Sequence, residues 1–205
     1  MSIYIFIKIF TVCLLGAMSP GPSMVVVINN AVFKNRFHGI LTSLGHGIGI
    51  GLYAFFAVLG IAVIIKTNIF VFNTIKMLSI IFLMYLGFKS IVTSDDQLDF
   101  NEKNYKGSMT SFFQGLSISL LNPKIFIWFL AIYSQFMSVE NGIIFNTYLI
   151  LTAGIVDTIW YITLTYLVTS MIAVDLIKAK LKLLKKFIGC IFIIIGFLLI
   201  LEFFI

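Results

Sequence analysis

Charge is scarce in this chain. Only 11% of its 205 residues are Asp, Glu, Lys or Arg, while 60% are apolar; soluble domains carry about 25% charged residues. There are three prolines, two cysteines and two histidines. Each shortage excludes something. So little charge leaves no polar surface with which to clothe a soluble domain. Cys13 and Cys190 stand in different apolar segments, so neither has the neighbour that thiol exchange requires. Each reads instead as a small buried apolar residue. Two histidines without clustered ligands make no metal site. No hydrolase or transferase constellation is present either, so enzyme chemistry is not expected, and no cofactor is implied.

Long apolar runs take the place of all these. A membrane-spanning helix needs about 20 predominantly apolar residues, and six segments qualify, at about 3–28, 38–65, 69–91, 111–135, 143–171 and 187–205. The chain is predicted to be an all-α integral membrane protein with six transmembrane helices in the lipid bilayer. The first segment has some features of a cleaved signal, with Lys8 as its basic flank and Gly16-Ala17-Met18-Ser19 as a small-residue site. Its apolar character nevertheless continues to Ile28, and the segment is expected to stay.

All three prolines fall in two places. Met18-Ser19-Pro20-Gly21-Pro22-Ser23 interrupts the first segment, and Leu121-Asn122-Pro123-Lys124 interrupts the fourth, roughly a hundred residues later. A broken membrane helix leaves backbone groups that lipid cannot satisfy, so it is tolerated only where protein or a water-filled cavity surrounds it. Matched breaks in two halves of a chain point to a transporter's binding site. Residues Ser19, Pro20, Gly21, Pro22, Ser23, Asn122, Pro123 and Lys124 are therefore the candidate substrate contacts.

The net charge of +6 is not a nucleic-acid patch. Lys34 and Arg36, then Lys89, Lys103 and Lys106, then Lys178, Lys180, Lys182, Lys185 and Lys186 follow segments one, three and five, and their three loops share one side. The excess of positive charge in these loops predicts that they are cytoplasmic and that both termini lie outside, in the cytoplasmic membrane.

The polar stretch 93–110 divides the chain into a first half, 1–92, and a second, 111–205, with three segments each. Because three is odd, the second half must enter from the opposite side, which makes a 3+3 inverted repeat with the first and fourth helices broken by proline. The triplets Leu86-Gly87-Phe88 and Ile195-Gly196-Phe197 echo one another at a similar separation. Gly45, Gly47, Gly49 and Gly51 give two overlapping small-xxx-small pairs, which suit close packing within the chain or a homodimer face. Trp128 and Trp160 suit either interface anchors or cavity walls.

Ionisable groups inside a membrane are costly and mark function. Asp157 is the only acid in a segment's interior. Such a carboxyl pairs with a cation, takes a proton or faces water, so Asp157 is the candidate for proton coupling or for a substrate ammonium, against a purely structural hydrogen bond. His46 is either a packing residue or, with Trp160, part of a cavity. Lys124 either meets a substrate carboxylate or snorkels to the interface. The helix restarts after Pro22 and Pro123 present N–H groups that favour a carboxylate.

At these residues the chain resembles the LysE/RhtB family of amino-acid exporters. The likeness runs through Ser19-Pro20-Gly21-Pro22, Tyr85-Leu86-Gly87, Phe113-Gln114-Gly115, Asn122-Pro123-Lys124 and Gln135-Phe136, in order along nearly the whole chain. It implies a six-helix exporter of amino acids or related metabolites driven by the proton gradient, with the two breaks forming the substrate region. Ser23 stands where the family often has Asp or Asn, and Ser134 where it often has Pro. Asp157 is then the sole central acid, which weakens the case for a basic substrate such as lysine.

Secondary export of small amphoteric metabolites by proton antiport is the expectation. The rivals are a membrane thiol-disulfide electron carrier and a non-transporting scaffold. A double Cys13→Ser, Cys190→Ser variant separates the first: export should persist in whole cells, and its loss would revive the electron carrier.

Overall fold

Eight α-helices and one π-helical turn make up the computed structural model, which describes residues 3–92, 108–138, 142–170 and 174–204. They are α1 (Ile3–Met18), α2 (Pro22–Asn29) with the π-helical turn Asn30–Lys34, α3 (Arg36–Thr67), α4 (Ile69–Val92), α5 (Ser108–Leu120), α6 (Pro123–Phe136), α7 (Ile143–Ser170) and α8 (Val174–Phe204). No strand occurs among the described residues. Four single helices are long and apolar enough to cross a membrane, and the count rises to six if each of two bent pairs is one span. Residues 93–107, most of the connection expected to be cytoplasmic, lie outside the described residues.

Local chemistry explains the two bends. α1 stops at Met18 because the residue before a proline is pushed out of the helical region, and Pro20 follows Ser19. Gly21 caps α2 in an extended conformation, with Pro22 in the first turn, where a missing N–H costs nothing. The axes of the pair differ by 67°. Between α5 and α6 the bend is 57°. There the Asn122 side chain caps α6 by accepting from the Lys124 N–H at 3.1 Å. Leu120 cannot pass its carbonyl on to a continuing helix, and the Tyr53 hydroxyl of α3 donates to it instead.

α3 is wedged between α5 and α7. A methyl group at Gly45 would collide with the Phe112 carbonyl of α5, and one at Gly115 with the Thr42 carbonyl of α3. On the other side, Gly47 packs against Thr158 and the Gly154 carbonyl of α7. Without side chains at these positions the backbones approach closely, which is how membrane helices gain packing where lipid offers no hydrophobic drive. α4 and α8 meet the same way, with Gly87 against the Gly189 carbonyl and Gly196 against Met84. Around this core, Phe55, Phe56, Leu59, Val63, Ile155 and Ile159 point outward, as lipid-facing residues do.

Three details differ from the sequence expectation, the first being Cys190, which is exposed on α8 rather than buried. The sequence pattern puts the lysines at 178–186 in a loop, yet α8 already begins at Val174. Lys, Leu, Ala and Ile are all good or adequate helix formers, so polarity ends the apolar stretch without ending the helix. The first segment also runs on through the π-helical turn to Lys34, a single-turn device that often sits at functional places.

Close approach makes a measurable demand. Gly45→Ala and Gly115→Ala should each destabilise the purified protein by about 1–3 kcal/mol, whereas Gly51→Ala and Gly60→Ala, which have open space, should not. Melting in detergent checks this, and equal melting temperatures for all four would contradict the wedge.

Candidate functional site

The two bends face each other. Lys124, two residues into α6, donates from Nζ to the Ser19 hydroxyl at 2.8 Å. Asn122 donates from Nδ2 to the Ser23 hydroxyl at 3.4 Å. Each bond joins one bend to the other across about a hundred residues of sequence. Ser23 and Asn122 are buried and Lys124 is half-buried. The ammonium of Lys124 is thus turned inward to the first bend rather than outward to an interface.

Above this crossing, His46 of α3 meets Asp157 of α7, with Nδ1 2.7 Å from Oδ2. Both are nearly sealed, at 1% and 4% exposure. The contact exists because Gly45 and Gly47 flank His46 and let α3 lie against its neighbours. The ring of Tyr161, one turn after Asp157, packs in a T-shaped arrangement with the imidazole, with centroids 4.8 Å apart.

All of these groups border one cavity of about 60 Å³, lined by Ser19, Gly21, Ser23, Asn122, Lys124, His46 and Asp157 and, on its apolar side, by Cys13, Ile50, Ile125, Trp128 and Phe129 among others. Since one water needs about 15 Å³, the space suits a few waters or the polar part of a small molecule. The walls come from two apolar clusters, one around Ile9, Phe129 and Tyr133 and one around Met24, Ile28 and Tyr161. Two buried polar atoms of the lining, His46 Nε2 and Trp128 Nε1, bond to no other protein atom. Buried polar atoms are nearly always bonded, so both mark places where a bound molecule would be held.

Of the residues singled out from sequence, Ser19, Gly21, Ser23, Asn122, Lys124, His46 and Asp157 come together at this cavity. Pro20 and Pro22 shape the first bend without lining it, and Pro123 opens α6. Trp160 does not reach the cavity; it packs on the cluster of Met24, Val27 and Tyr161. Sequence reasoning left Trp128 undecided, read Cys13 only as a small buried residue and Gly16 only as part of a small-residue stretch, and passed over Ile125, Phe129 and Tyr161. Helical spacing carried the signal for two of them, because Trp128 is four residues from Lys124 and Tyr161 four from Asp157, and such pairs share a face.

A second polar layer lies toward the end that holds Lys34 and Arg36. Asn30, buried in the π-helical turn, donates to Thr42 at 2.9 Å and to Gln114 at 2.8 Å. Lys34 donates to Ser111 at 3.1 Å, and Arg36 to Thr169 at 3.0 Å while stacking on Tyr166. These bonds tie the first half of the chain to α5 and α7. No group of three metal-ligating side chains occurs among the described residues.

Comparison with known proteins gives a consistent picture. The sequence model of the family described as LysE type translocator matches residues 14–202. The uncharacterized membrane protein YrhP of Bacillus subtilis (strain 168) is 30% identical over 161 residues, covering 73% of this chain and 76% of that protein. The leucine efflux protein of Salmonella typhimurium is 29% identical over 184 residues, covering 85% and 84%, and that of Salmonella typhi matches equally. No solved structure matches the chain significantly.

The Trp128 wall is testable by itself. A methyl group on Gly16 would overlap the indole of Trp128. In a Trp160→Phe background, where Trp128 is the only tryptophan, Gly16→Ala should displace the ring and shift its fluorescence emission. Gly60→Ala should leave the emission alone, and an unshifted spectrum in Gly16→Ala would contradict the packing.

Proposed function

The chain belongs to the LysE-type translocator family, and on that premise we propose that it exports amino acids or related small amphoteric metabolites across the cytoplasmic membrane by proton antiport. It is a transporter rather than an enzyme. The observation that carries the reading is convergence: two bends and a buried acid from three separate parts of the sequence border one small, partly polar cavity. An amphoteric molecule has a carboxylate for the Lys124 ammonium and the N-terminus of α2, and an ammonium for the Asp157 side. Leucine is the first substrate to test, because two of the relatives are named leucine efflux proteins.

In this reading each bent pair is one span, so the chain crosses six times, as a single transporter domain. Residues 1–92 and 111–205 are inverted halves joined by a cytoplasmic connection at 93–110, with both termini outside. Several contacts support the inversion. α3 runs antiparallel to α7, since Gly39 meets Thr165 and Gly47 meets Gly154; α4 runs antiparallel to α8, since Gly87 meets Gly189 and Met84 meets Gly196. The packing partners also exchange between halves: α3 lies along α5, the first part of one bent pair, and α7 lies along α1, the first part of the other. Rocking of one half against the other about the central cavity would alternate access.

Asp157 couples export to protons in this scheme. Asp157→Asn, which keeps size and hydrogen bonding, should abolish gradient-driven export in cells while membrane protein level stays normal. Unchanged leucine efflux in that variant would sink the coupling role.

A further inference from the structure

His46 is placed for more than packing. Its Nδ1 is bonded to Asp157 at 2.7 Å, and a carboxylate can only accept. With Asp157 ionised, Nδ1 must therefore carry the hydrogen, which leaves the lone pair on Nε2. That nitrogen is buried, belongs to a cavity-lining residue and bonds to no other protein atom. The pair also straddles the two halves, His46 on α3 and Asp157 on α7.

We infer, on the reading of the chain as a proton-driven exporter, that the proton-binding unit is the His46–Asp157 pair, with His46 Nε2 taking and releasing the proton and Asp157 as the positioning carboxylate.

The step balances as a simple protonation. A proton from water adds to the Nε2 lone pair, an N–H bond forms, and the imidazolium stays bonded to the carboxylate. The pair's charge goes from −1 to 0. Release to water on the other side breaks the same N–H bond. At −1 the pair attracts a substrate ammonium; at 0 that attraction is gone. Proton and ammonium thus compete for one negative charge, which is what exchange of one for the other requires.

Other titratable groups reach the same cavity: Cys13 from α1, Lys124 from α6 and Tyr161 from α7. α2 and α5 contribute none, and none of the titratable groups of α4 lines the cavity. Lys34 of the π-helical turn is bonded to Ser111 in the second polar layer. Among these groups imidazole is the one whose ordinary range falls between pH 5 and 8.

The pH dependence has a definite sign. Affinity for an ammonium-bearing ligand is full above the midpoint of the pair and is lost as pH falls through it. Binding of radiolabelled L-leucine to the purified protein, followed against pH, reads this directly. His46→Gln keeps a donor for Asp157 and leaves the carboxylate as the only proton site of the pair. The wild-type midpoint should be lost, and leucine–leucine counterflow should persist while drive by a pH gradient is lost. Asp157→Asn, which takes the negative charge from the pair, should bind leucine weakly at every pH. If His46→Gln keeps the wild-type midpoint and gradient drive while Asp157→Asn loses both, the inference is overturned and the export reading stands. If the wild type binds and moves no amino acid, the export reading itself falls.

A substrate-free measurement decides the assignment even if His46→Gln does not fold. In a His38→Gln variant, His46 is the only histidine, and ¹⁵N spectra report its tautomer. At pH 8 the hydrogen should sit on Nδ1, with a second adding to Nε2 as pH falls. A neutral ring with its hydrogen on Nε2 would overturn the inference.

Discussion

Close approach of α3 to both α5 and α7 is the constraint on which the rest of this structure depends. In a bilayer, apolar side chains gain nothing by leaving lipid for protein, so helices associate through packing and polar contacts. Gly45, Gly47 and Gly115 remove the side chains that would hold the backbones apart. Three consequences follow from that one approach. His46 reaches Asp157, Tyr53 reaches the freed carbonyl of Leu120, and Thr42 reaches Asn30. A buried acid, a helix end and a π-helical turn all acquire their partners from the same helix.

The helix ends at the two bends are the second element of the account. Backbone polar groups in a membrane must be satisfied within the protein: the Asn122 side chain takes the Lys124 N–H and the Tyr53 hydroxyl donates to the Leu120 carbonyl. Side-chain bonds from Lys124 to Ser19 and from Asn122 to Ser23 join the two bends. An ammonium has three donors and a hydroxyl two lone pairs, so neither group is limited to a single partner. A site built this way is held together by groups that a polar substrate can also use. Binding and partial release of such bonds then go together, which suits the alternating access proposed for this chain.

Much of this was legible in the sequence. Apolar segments of bilayer length marked the helices, and the motifs from Ser19-Pro20-Gly21-Pro22 to Gln135-Phe136 pointed to the family that the whole-chain comparison gives. Asp157 stood out because an acid is expensive where it lies. What escaped were relations between distant residues. Nothing near Lys124 in sequence says that Ser19 will meet its ammonium, since that contact depends on how two bent pairs cross. Trp128 could not be told from an interface anchor, because amphipathic rings suit both places. The helix through the lysines at 178–186 was missed for a different reason: hydropathy reports where the apolar stretch ends, and helix propensity, which continues past it, reports where the helix does. Gln114 was noticed only as part of a motif, and its bond to Asn30 requires the π-helical turn, which has no simple sequence signal.

Translocation is the central claim, and reconstitution tests it most directly. The purified chain is placed in liposomes preloaded with radiolabelled leucine, and release is followed with and without a pH gradient imposed acid outside. The account expects release above that of empty liposomes and faster release with the gradient, since protons entering drive the amino acid out. Release no faster than from protein-free liposomes, with other amphoteric solutes retained equally, would contradict it.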